Sequence, residues 1–236
     1  MGRDNGPADV RGMGMVHSAL RRDLERSRIV LETLDRFTDA RRVAVADHLV
    51  WLVDFLRHHH EGEDTLLFPE VRRRNPLAAD LIDRMDADHR AVLPSLDVLE
   101  EVARRWRARG DVREDVVAAL AALSSGLLPH LRREEEQMMP VVAATLTARE
   151  HDALDHRVNI RGKGPRQLGR EGHFIIEAAD DETRAFFLAK VPAPVAVLLL
   201  LGTGPSYRRA SAARWGATPA EHVPSLTLAH LDSHPS

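Results

Sequence analysis

Apolar side chains recur with a helical period from Gly14 to about Leu146, and this pattern constrains the fold more than any other feature of the chain. They form four stripes, each long enough for one helix. Thr38 and Thr147 are placed to cap the starts of helices, and Gly110 is placed to end the third helix. Four long helices joined by short loops must be antiparallel neighbours. The sequence therefore predicts an all-α fold, an up-down-up-down four-helix bundle.

The pattern changes after Val158, where a linker containing Gly, Arg and Pro begins. Shorter helical patches are predicted at about 168–178, 181–190, 195–201 and 207–215. Phe174 and Phe186 contribute to the apolar surface of this extension, which is too large to be buried within it, so we expect the extension to dock on the bundle. The predicted organisation is a disordered N-terminus over 1–12, a four-helix bundle over 13–158, a C-terminal extension of short helices over 159–216 and a disordered tail over 217–236.

Charge balance and residue types exclude several classes of protein. The 236-residue chain has 33 Lys and Arg against 36 Asp and Glu, a net charge of −3, whereas nucleic-acid binders usually carry a basic surplus. It has no cysteine, which excludes disulfides and metal–thiolate sites. The longest apolar run, Val195 to Leu201, is too short to span a bilayer, and Met1 to Val10 lacks the apolar core of a signal peptide. We therefore expect a soluble cytoplasmic protein that binds neither nucleic acid nor membrane.

Six ionisable side chains lie on the apolar stripes, where a bundle would bury them. Burying polar groups is costly unless they are paired or bind a metal. A histidine and a glutamate four residues apart project from one helix face, so both can reach the same metal cluster. The six residues, distributed over all four helices, are His17, His59, Glu63, His89, His130 and Glu134. The sequence therefore predicts a metal site inside the bundle.

An internal repeat distinguishes two histidine–glutamate pairs from chance pairs. In both copies, a His-x-x-x-Glu pair is followed directly by a second acid and, six residues after the Glu, by a proline. The two copies begin at His59 and at His130. Other histidine–acid pairs at the same spacing, which begin at His60, His151 and His173, lack this frame.

The order and spacing of these residues resemble the hemerythrin-like, HHE cation-binding family. The family pattern, H…HxxxE…H…HxxxE over a four-helix bundle, is matched within residues 12–146. The segment from Gly169 to Gly216 resembles a helical tail of actinobacterial members. The positions that match the pattern are His17, His59, Glu63, His89, His130 and Glu134.

The resemblance implies a centre of two non-haem iron ions, oxo- or hydroxo-bridged. Glu63 and Glu134 would bridge the two ions. His17 and His59 would bind one ion, and His89 and His130 would bind the other. Imidazole and carboxylate ligands suit iron, although ligand type alone does not exclude zinc or another metal.

One departure from the family affects the expected function. Oxygen-carrying hemerythrins have a fifth histidine from an HxxxH pair on the third helix, whereas Met85 and Leu93 occupy the two positions four residues from His89. A centre with four histidines has room for other ligands. This favours the handling of peroxide or nitric oxide, including catalase-like or NO-reactive activity in oxidative stress, over reversible carriage of O2.

Two further functions stay open at this point. A non-catalytic module could store or sense oxygen or iron, and turnover of H2O2 by the purified protein would separate it from an enzyme. A ferritin-like di-iron oxidase ranks last, because that class needs Glu-x-x-His motifs on two helices and the chain contains none.

Polar residues near the predicted ligands are expected to have other roles. His58 and His60 are expected to face solvent or the rim of the bundle. Glu135 and Glu136 are expected to be solvated helix charges. Tyr207, the only tyrosine, is expected to pack within the extension rather than reach the metal.

Overall fold

A computed structural model describes residues 6–233, and every regular element in this range is a helix. Helix α1 contacts α2 and α5, and α4 also contacts α2 and α5, so four long antiparallel helices close a ring. This confirms the predicted all-α bundle. Its helices are α1 (Arg11–Thr33), α2 (Asp39–Gly62), the short α3 (Phe68–Arg74), α4 (Ala79–Arg109), α5 (Arg113–Arg133) and the short α6 (Met139–Thr145).

Local capping chemistry sets several helix ends. The Thr38 side chain accepts a hydrogen bond from the Arg41 backbone N–H at the start of α2. Gly110 ends α4 at a φ of 81°, a left-handed conformation that glycine adopts without a steric penalty. Thr147 and Glu150 form a reciprocal capping box at the start of the next helix. The first two of these ends keep the connections between long helices short, which favours antiparallel packing.

Two π-helical segments interrupt the bundle at equivalent places. They span Glu63–Leu67 and Glu134–Met138, so each begins at the glutamate of one repeated pair. In the first, the Phe68 N–H donates to the Glu63 carbonyl, five residues back. A proline follows at the second position of α3 and of α6, where its missing N–H costs little. The internal repeat of the sequence is therefore a repeat of a helix, a π segment and a proline.

Two apolar clusters fill the bundle, one on each side of the predicted ligands. On α2, Leu56 belongs to the larger cluster and Leu67, just beyond the helix, to the smaller one. On α4, Met85 belongs to the smaller cluster and Val92 to the larger one. The predicted ligands lie between these positions on each helix. They are therefore held in a layer between two regions that exclude water.

The C-terminal extension docks on the α1 and α2 side of the bundle. Phe174 is fully buried, and its ring packs edge-on against Trp51 and Phe55. Arg22 donates hydrogen bonds from α1 to the carbonyls of Phe174 and Glu177. The helices that follow α6 are α7 (Ala148–Asn159), α8 (Pro165–Ile176), α9 (Asp181–Lys190), α10 (Ala193–Val197), α11 (Gly204–Trp215) and α12 (Leu228–Ser233).

Much of the chain predicted to be disordered packs against the bundle. Ala220, in a 3-10 turn (Pro219–His222), is fully buried, and the Ser225 and Ser18 hydroxyls are 2.7 Å apart. Near the N-terminus, the Ala8 N–H donates to the Leu146 carbonyl. Small side chains and backbone hydrogen bonds hold these segments, and hydrophobic periodicity does not reveal such contacts. Residues 1–5 and 234–236, for which disorder is also predicted, lie outside the described residues.

The longest apolar run of the sequence folds into α10 and a π segment (Leu198–Gly202) at the surface of the extension. Leu199 is buried, whereas Leu200 and Leu201 are exposed. Between residues 6 and 233, no helix combines the length and the apolar character needed to cross a membrane.

Candidate metal centre

The structure brings all six predicted ligand residues together in the layer between the two apolar clusters. Five of them are buried, and the His59 side chain is only 11% exposed. Four long helices and the two π segments each contribute at least one of them. They are His17 on α1, His59 on α2, Glu63 at the first π segment, His89 on α4, His130 on α5 and Glu134 at the second π segment.

The ligand atoms form two adjacent groups. In each group, one nitrogen or oxygen from every member lies within 4.8 Å of those from the others. The first group contains His17, His59, Glu63 and Glu134. The second contains His60, His89 and His130.

His60 is a correction to the sequence analysis, which expected it to face solvent or the rim. It is 4% exposed, and its ring stacks on that of His89 with 4.0 Å between centroids. Consecutive residues differ by about 100° around a helix. Because α2 packs against both α1 and α4, His59 and His60 both face the interior. The site therefore holds five histidines, the fifth coming from α2 rather than from the third long helix. The one available signal was the His60–Asp64 spacing, which lacks the repeated frame.

Of the other residues near the site, some lie where the sequence analysis expects them and others do not. His58 is half-buried, and its Nε2 donates to the Val158 carbonyl. Tyr207 donates to the Glu177 carboxylate within the extension and does not reach the cluster, as expected. Glu135 was expected to be solvated, but its side chain is only 13% exposed and contacts His17. The π segment turns Glu135 toward α1, which α-helical periodicity does not predict.

Within each group, imidazole nitrogens face one another. The Nε2 atoms of His17 and His59 are 3.2 Å apart, and so are the Nε2 atoms of His89 and His130. A pair of facing ring nitrogens can share only one proton, so at least one lone pair of each pair points at the other ring. A cation between the two rings would use both lone pairs.

The two glutamates lie between the groups. Glu63 Oε1 is 3.2 Å from His59 Nε2 in the first group, and its Oε2 is 3.6 Å from His89 Nε2 in the second. Glu134 Oε2 is 3.3 Å from His17 Nε2 and 3.9 Å from His130 Nε2. Each carboxylate can thus reach an ion in either group.

All four carboxylate oxygens of Glu63 and Glu134 are buried without a hydrogen bond of acceptable geometry from the residues that the structure describes. Both ring nitrogens of His60 are in the same condition. Leaving such groups unpaired in a dry interior costs several kcal/mol. Bound cations would satisfy the carboxylate oxygens and one ring nitrogen of His60, so the donor set fits a metal centre.

Carboxylates also contact the Nδ1 atoms of the imidazoles, on the side of each ring that faces away from the cluster. His17 Nδ1 donates to Glu135 at 3.0 Å, and His89 Nδ1 donates to Asp64 at 2.7 Å. The Asp88 carboxylate lies 3.5 Å from His130 Nδ1. Outer carboxylates of this kind orient metal-binding histidines and raise their basicity. The second acid of each repeat, Asp64 or Glu135, has this position.

Burial and charge shift the pKa values across the site. Burial lowers the pKa of His59 to about 3 and that of His130 to about 4, so both rings are neutral and have a free lone pair at pH 7. Burial, and then the charge of Glu134, raise the pKa of Glu63. Burial opposes ionisation of Glu134, but the neighbouring imidazoles, His17 above all, lower its pKa to about 2. Positive charge between the two carboxylates would relieve the repulsion that raises the pKa of Glu63.

The chain matches one family model, described as the hemerythrin HHE cation binding domain, over residues 8–142 and again over residues 80–162. All five clustered histidines and both glutamates lie within the first match. Neither the curated proteins nor the solved structures include a match to this chain.

Proposed function

Because the chain belongs to the hemerythrin HHE cation-binding family, we propose that its bundle holds two non-haem iron ions and that the centre binds or reacts with O2-derived or nitrogen-oxide ligands. The observation that carries the proposal is the position of Glu63 and Glu134. Their unpaired oxygens lie between two groups of imidazoles.

The two groups support two ions rather than one. His17 and His59 would bind one ion, and His89 and His130 the other, with Glu63 and Glu134 bridging. His60 lies within the second group and would complete it. The ring nitrogens of His17 and His59 do not fall within one 4.8 Å group with those of His89 and His130, which favours one ion for each facing pair.

When bound, iron would supply redox chemistry and a Lewis-acid position for a small ligand such as O2, H2O2 or NO. The protein residues would have three tasks. The imidazoles and carboxylates hold the ions, and the outer acids Asp64 and Glu135 fix the orientation of two rings. The apolar clusters on both sides exclude water, which strengthens electrostatic interactions inside the site.

Metal analysis together with an optical spectrum of the aerobically purified protein tests the proposal. We expect two irons per chain and an intense charge-transfer band that changes on adding azide. Less than one metal per chain after loading with Fe(II) would refute it. Two zinc ions per chain would support the two-metal site but would contradict the proposed redox function.

The bridging role is tested by comparing Glu63→Ala with Glu61→Ala. Glu63 would contact both ions, so its loss should reduce the metal content to one or none per chain. Glu61 is exposed on the same turn, and its loss should leave two. Replacing His17 by Ala should leave a partly loaded site. Two ions per chain in Glu63→Ala would overturn the bridging assignment.

Turnover of H2O2 separates the two classes of function. Catalytic disproportionation at many equivalents per iron supports a peroxide-handling enzyme. Stoichiometric binding of O2 or NO without turnover assigns the protein to oxygen or iron storage or to sensing.

A further inference from the structure

A cavity of about 400 Å³ lies beside the contact between the bundle and the helices that follow it. Helices α1 and α2 form one wall, and α7 to α10 form the other. His59 and Glu63, at the edge of the candidate metal centre, line one part of it. Most of the remaining wall is apolar and includes Met13, Val16, Phe55, Leu154, Ile175 and Phe187.

The size of the cavity exceeds what small inorganic ligands need. A water molecule occupies about 30 Å³ in the liquid, and O2, H2O2 and NO are of similar size. Cavities of roughly 300–1,000 Å³ with apolar walls and few polar groups are typical of sites for small organic molecules. A space more than ten times the volume of a diatomic ligand therefore fits an organic molecule.

Away from Glu63, the acidic residues at the cavity already have partners: three of them form ion pairs, and Asp155 accepts a hydrogen bond from Asn159. Asp9 pairs with Arg11 at 2.8 Å, and Asp152 pairs with Lys190 at 2.9 Å. Glu171 pairs with Lys163 at 2.7 Å. An ion would have to compete with these pairs, whereas an uncharged molecule would leave them intact. The walls therefore favour a neutral occupant.

Two residues of the lining have buried side-chain atoms without a hydrogen bond within residues 6–233: Glu63, whose two carboxylate oxygens belong to the candidate metal centre, and His151. The Nδ1 atom of His151, on α7, is buried and has no hydrogen bond within the part of the chain that the structure describes. Burial lowers the pKa of His151, which keeps the ring neutral. The ring can therefore exchange one hydrogen bond with a hydroxyl or carbonyl group.

We propose that this cavity binds an uncharged, mainly apolar organic molecule, whose single polar group bonds to His151 and whose other end lies beside His59 and Glu63. This inference extends the proposed function, because it gives the metal centre an organic substrate or effector in addition to a small inorganic ligand. Only the contact with His59 and Glu63 depends on the proposed function.

Gly12 provides a way to fill the cavity without disturbing its walls. An added Cβ at Gly12 meets no atom within 4 Å, so a larger side chain would extend into open space. Two other glycines of the lining are closed off, Gly62 by Val158 and Gly172 by Leu199. Gly164 lies outside the lining and also has no atom within 4 Å of an added Cβ, so it offers a matched control.

The test is calorimetric titration of the full-length chain, with and without bound metal, with 1-octanol, octanoate and octylamine. We expect saturable one-to-one binding of 1-octanol and binding of the two ions at least about tenfold weaker. Gly12→Leu should weaken 1-octanol binding about tenfold or more, whereas Gly164→Leu should bind like the parent. Absence of saturable binding, equal binding of an ion, or unchanged binding in Gly12→Leu would overturn the inference.

Contact with the metal centre is measured separately. Saturating 1-octanol should shift the optical spectrum of the iron-loaded protein, and an unchanged spectrum would remove His59 and Glu63 from the binding site. The titration of the metal-free chain does not depend on iron. Failure of the proposed function would thus appear as a missing metal, and failure of this inference as missing alcohol binding.

Discussion

Side chains behind the imidazoles determine which ring nitrogen faces the candidate metal centre. An ionised carboxylate can only accept, so Glu135 and Asp64 require the proton of each ring to be on Nδ1. When these rings are neutral, the lone pairs of His17 and His89 are on Nε2, which points into the cluster. The outer acids therefore prepare the rings for a cation before one binds.

Removing one outer acid should weaken metal binding without removing a ligand. In Glu135→Ala, His17 loses its acceptor, and we expect metal affinity to fall about 10- to 100-fold, as for other outer-shell changes. Glu136→Ala is the control, because Glu136 lies next in sequence but is exposed and pairs with Arg132. Competition with a chelator of known affinity measures both. Equal affinities in the two variants would mean that Glu135 serves only its ion pair with Arg21.

His60 should matter to the metal content although the sequence pattern excludes it. In His60→Gln we expect the number of bound ions to fall from two toward one, since the second group loses one of three imidazoles. His58→Gln is the matched control, because glutamine can still donate to the Val158 carbonyl. Elemental analysis after loading gives the comparison. Two ions retained in His60→Gln would restrict His60 to stacking on His89.

The sequence predicts the six ligand residues because each is an ionisable side chain on an otherwise apolar helix face. It misses His60 and Glu135 for a geometric reason. A stripe describes one helix face at a period of 3.6 residues. His60 faces inward because α2 is buried on two sides, and Glu135 does so because a π segment changes the period at Glu134.

At the scale of elements, the π segments place the two glutamates. π turns are rare in proteins, and those that occur are frequently found at functional sites. Here the acid following each glutamate contacts an imidazole on another helix, as Asp64 does with His89. The repeated proline in the sequence marks these segments. The π turn itself cannot be predicted from the sequence, because one inserted residue barely changes the hydrophobic pattern.

The contact between α2 and α7 depends on a glycine immediately before the first π segment. An added Cβ at Gly62 would lie 2.5 Å from a methyl group of Val158. We expect Gly62→Ala to lower the free energy of unfolding by about 1–3 kcal/mol, the usual cost of overpacking. Because the clash is with one side chain, Val158→Ala in the same chain should restore most of the loss. Urea unfolding measures each variant.

Gly126 is the control for the helix propensity of alanine. It is exposed on α5, and an added Cβ would lie 3.7 Å from Val92, an ordinary contact. Gly126→Ala should therefore stabilise the protein by about 0.5–1 kcal/mol. If both alanine variants changed stability in the same direction, the close contact between α2 and α7 would not be the cause.

At the scale of the whole molecule, a buried ionic network attaches the extension to the bundle. Asp23 on α1 pairs with Arg22, with Arg26 and with His48 on α2. Arg26 also pairs with Glu177, at the end of α8. The sequence predicts docking from the apolar content of the extension, but not this network, because the partners are up to about 150 residues apart in the chain.

His48 should make the free energy of unfolding fall at acidic pH. Burial, and then the charge of Arg214, lower the pKa of His48 from 6.5 to about 4. The unfolded chain therefore takes up a proton at higher pH than the folded chain, so stability falls as the pH drops from about 6.5 to about 4. At pH 5 this group alone should cost ~2 kcal/mol relative to pH 7.

Comparison of the parent with His48→Gln isolates this contribution. Glutamine can keep the hydrogen bond to Asp23 but does not titrate. The fall in the free energy of unfolding between pH 7 and pH 5 should be smaller in the variant by ~2 kcal/mol, whatever its absolute stability. Parallel curves for the two proteins would show that the pKa of His48 is the same in the folded and unfolded chains.

Removal of metal should lower the melting temperature while most of the helix content is kept at low temperature. Without cations, Glu63 and Glu134 are buried side by side and burial raises the pKa of Glu63, so the folded state carries an electrostatic cost. A ligand at 100 times its Kd stabilises by about 2.7 kcal/mol, which corresponds to about 5–10 °C for a chain of this size. The larger apolar cluster extends along the bundle beyond the ligand layer and should keep the helices packed.

Glu63→Gln separates the metal contribution from other effects of chelation. The neutral amide has nearly the same shape but removes the repulsion with Glu134, so the metal-free variant should melt at or above the metal-free parent. Because glutamine is a poor bridging ligand, adding metal should raise its melting temperature much less. Circular dichroism melts of the four samples provide the measurement. A parent whose melting temperature is unchanged after verified metal removal would contradict the view that the buried carboxylates are stabilised by cations.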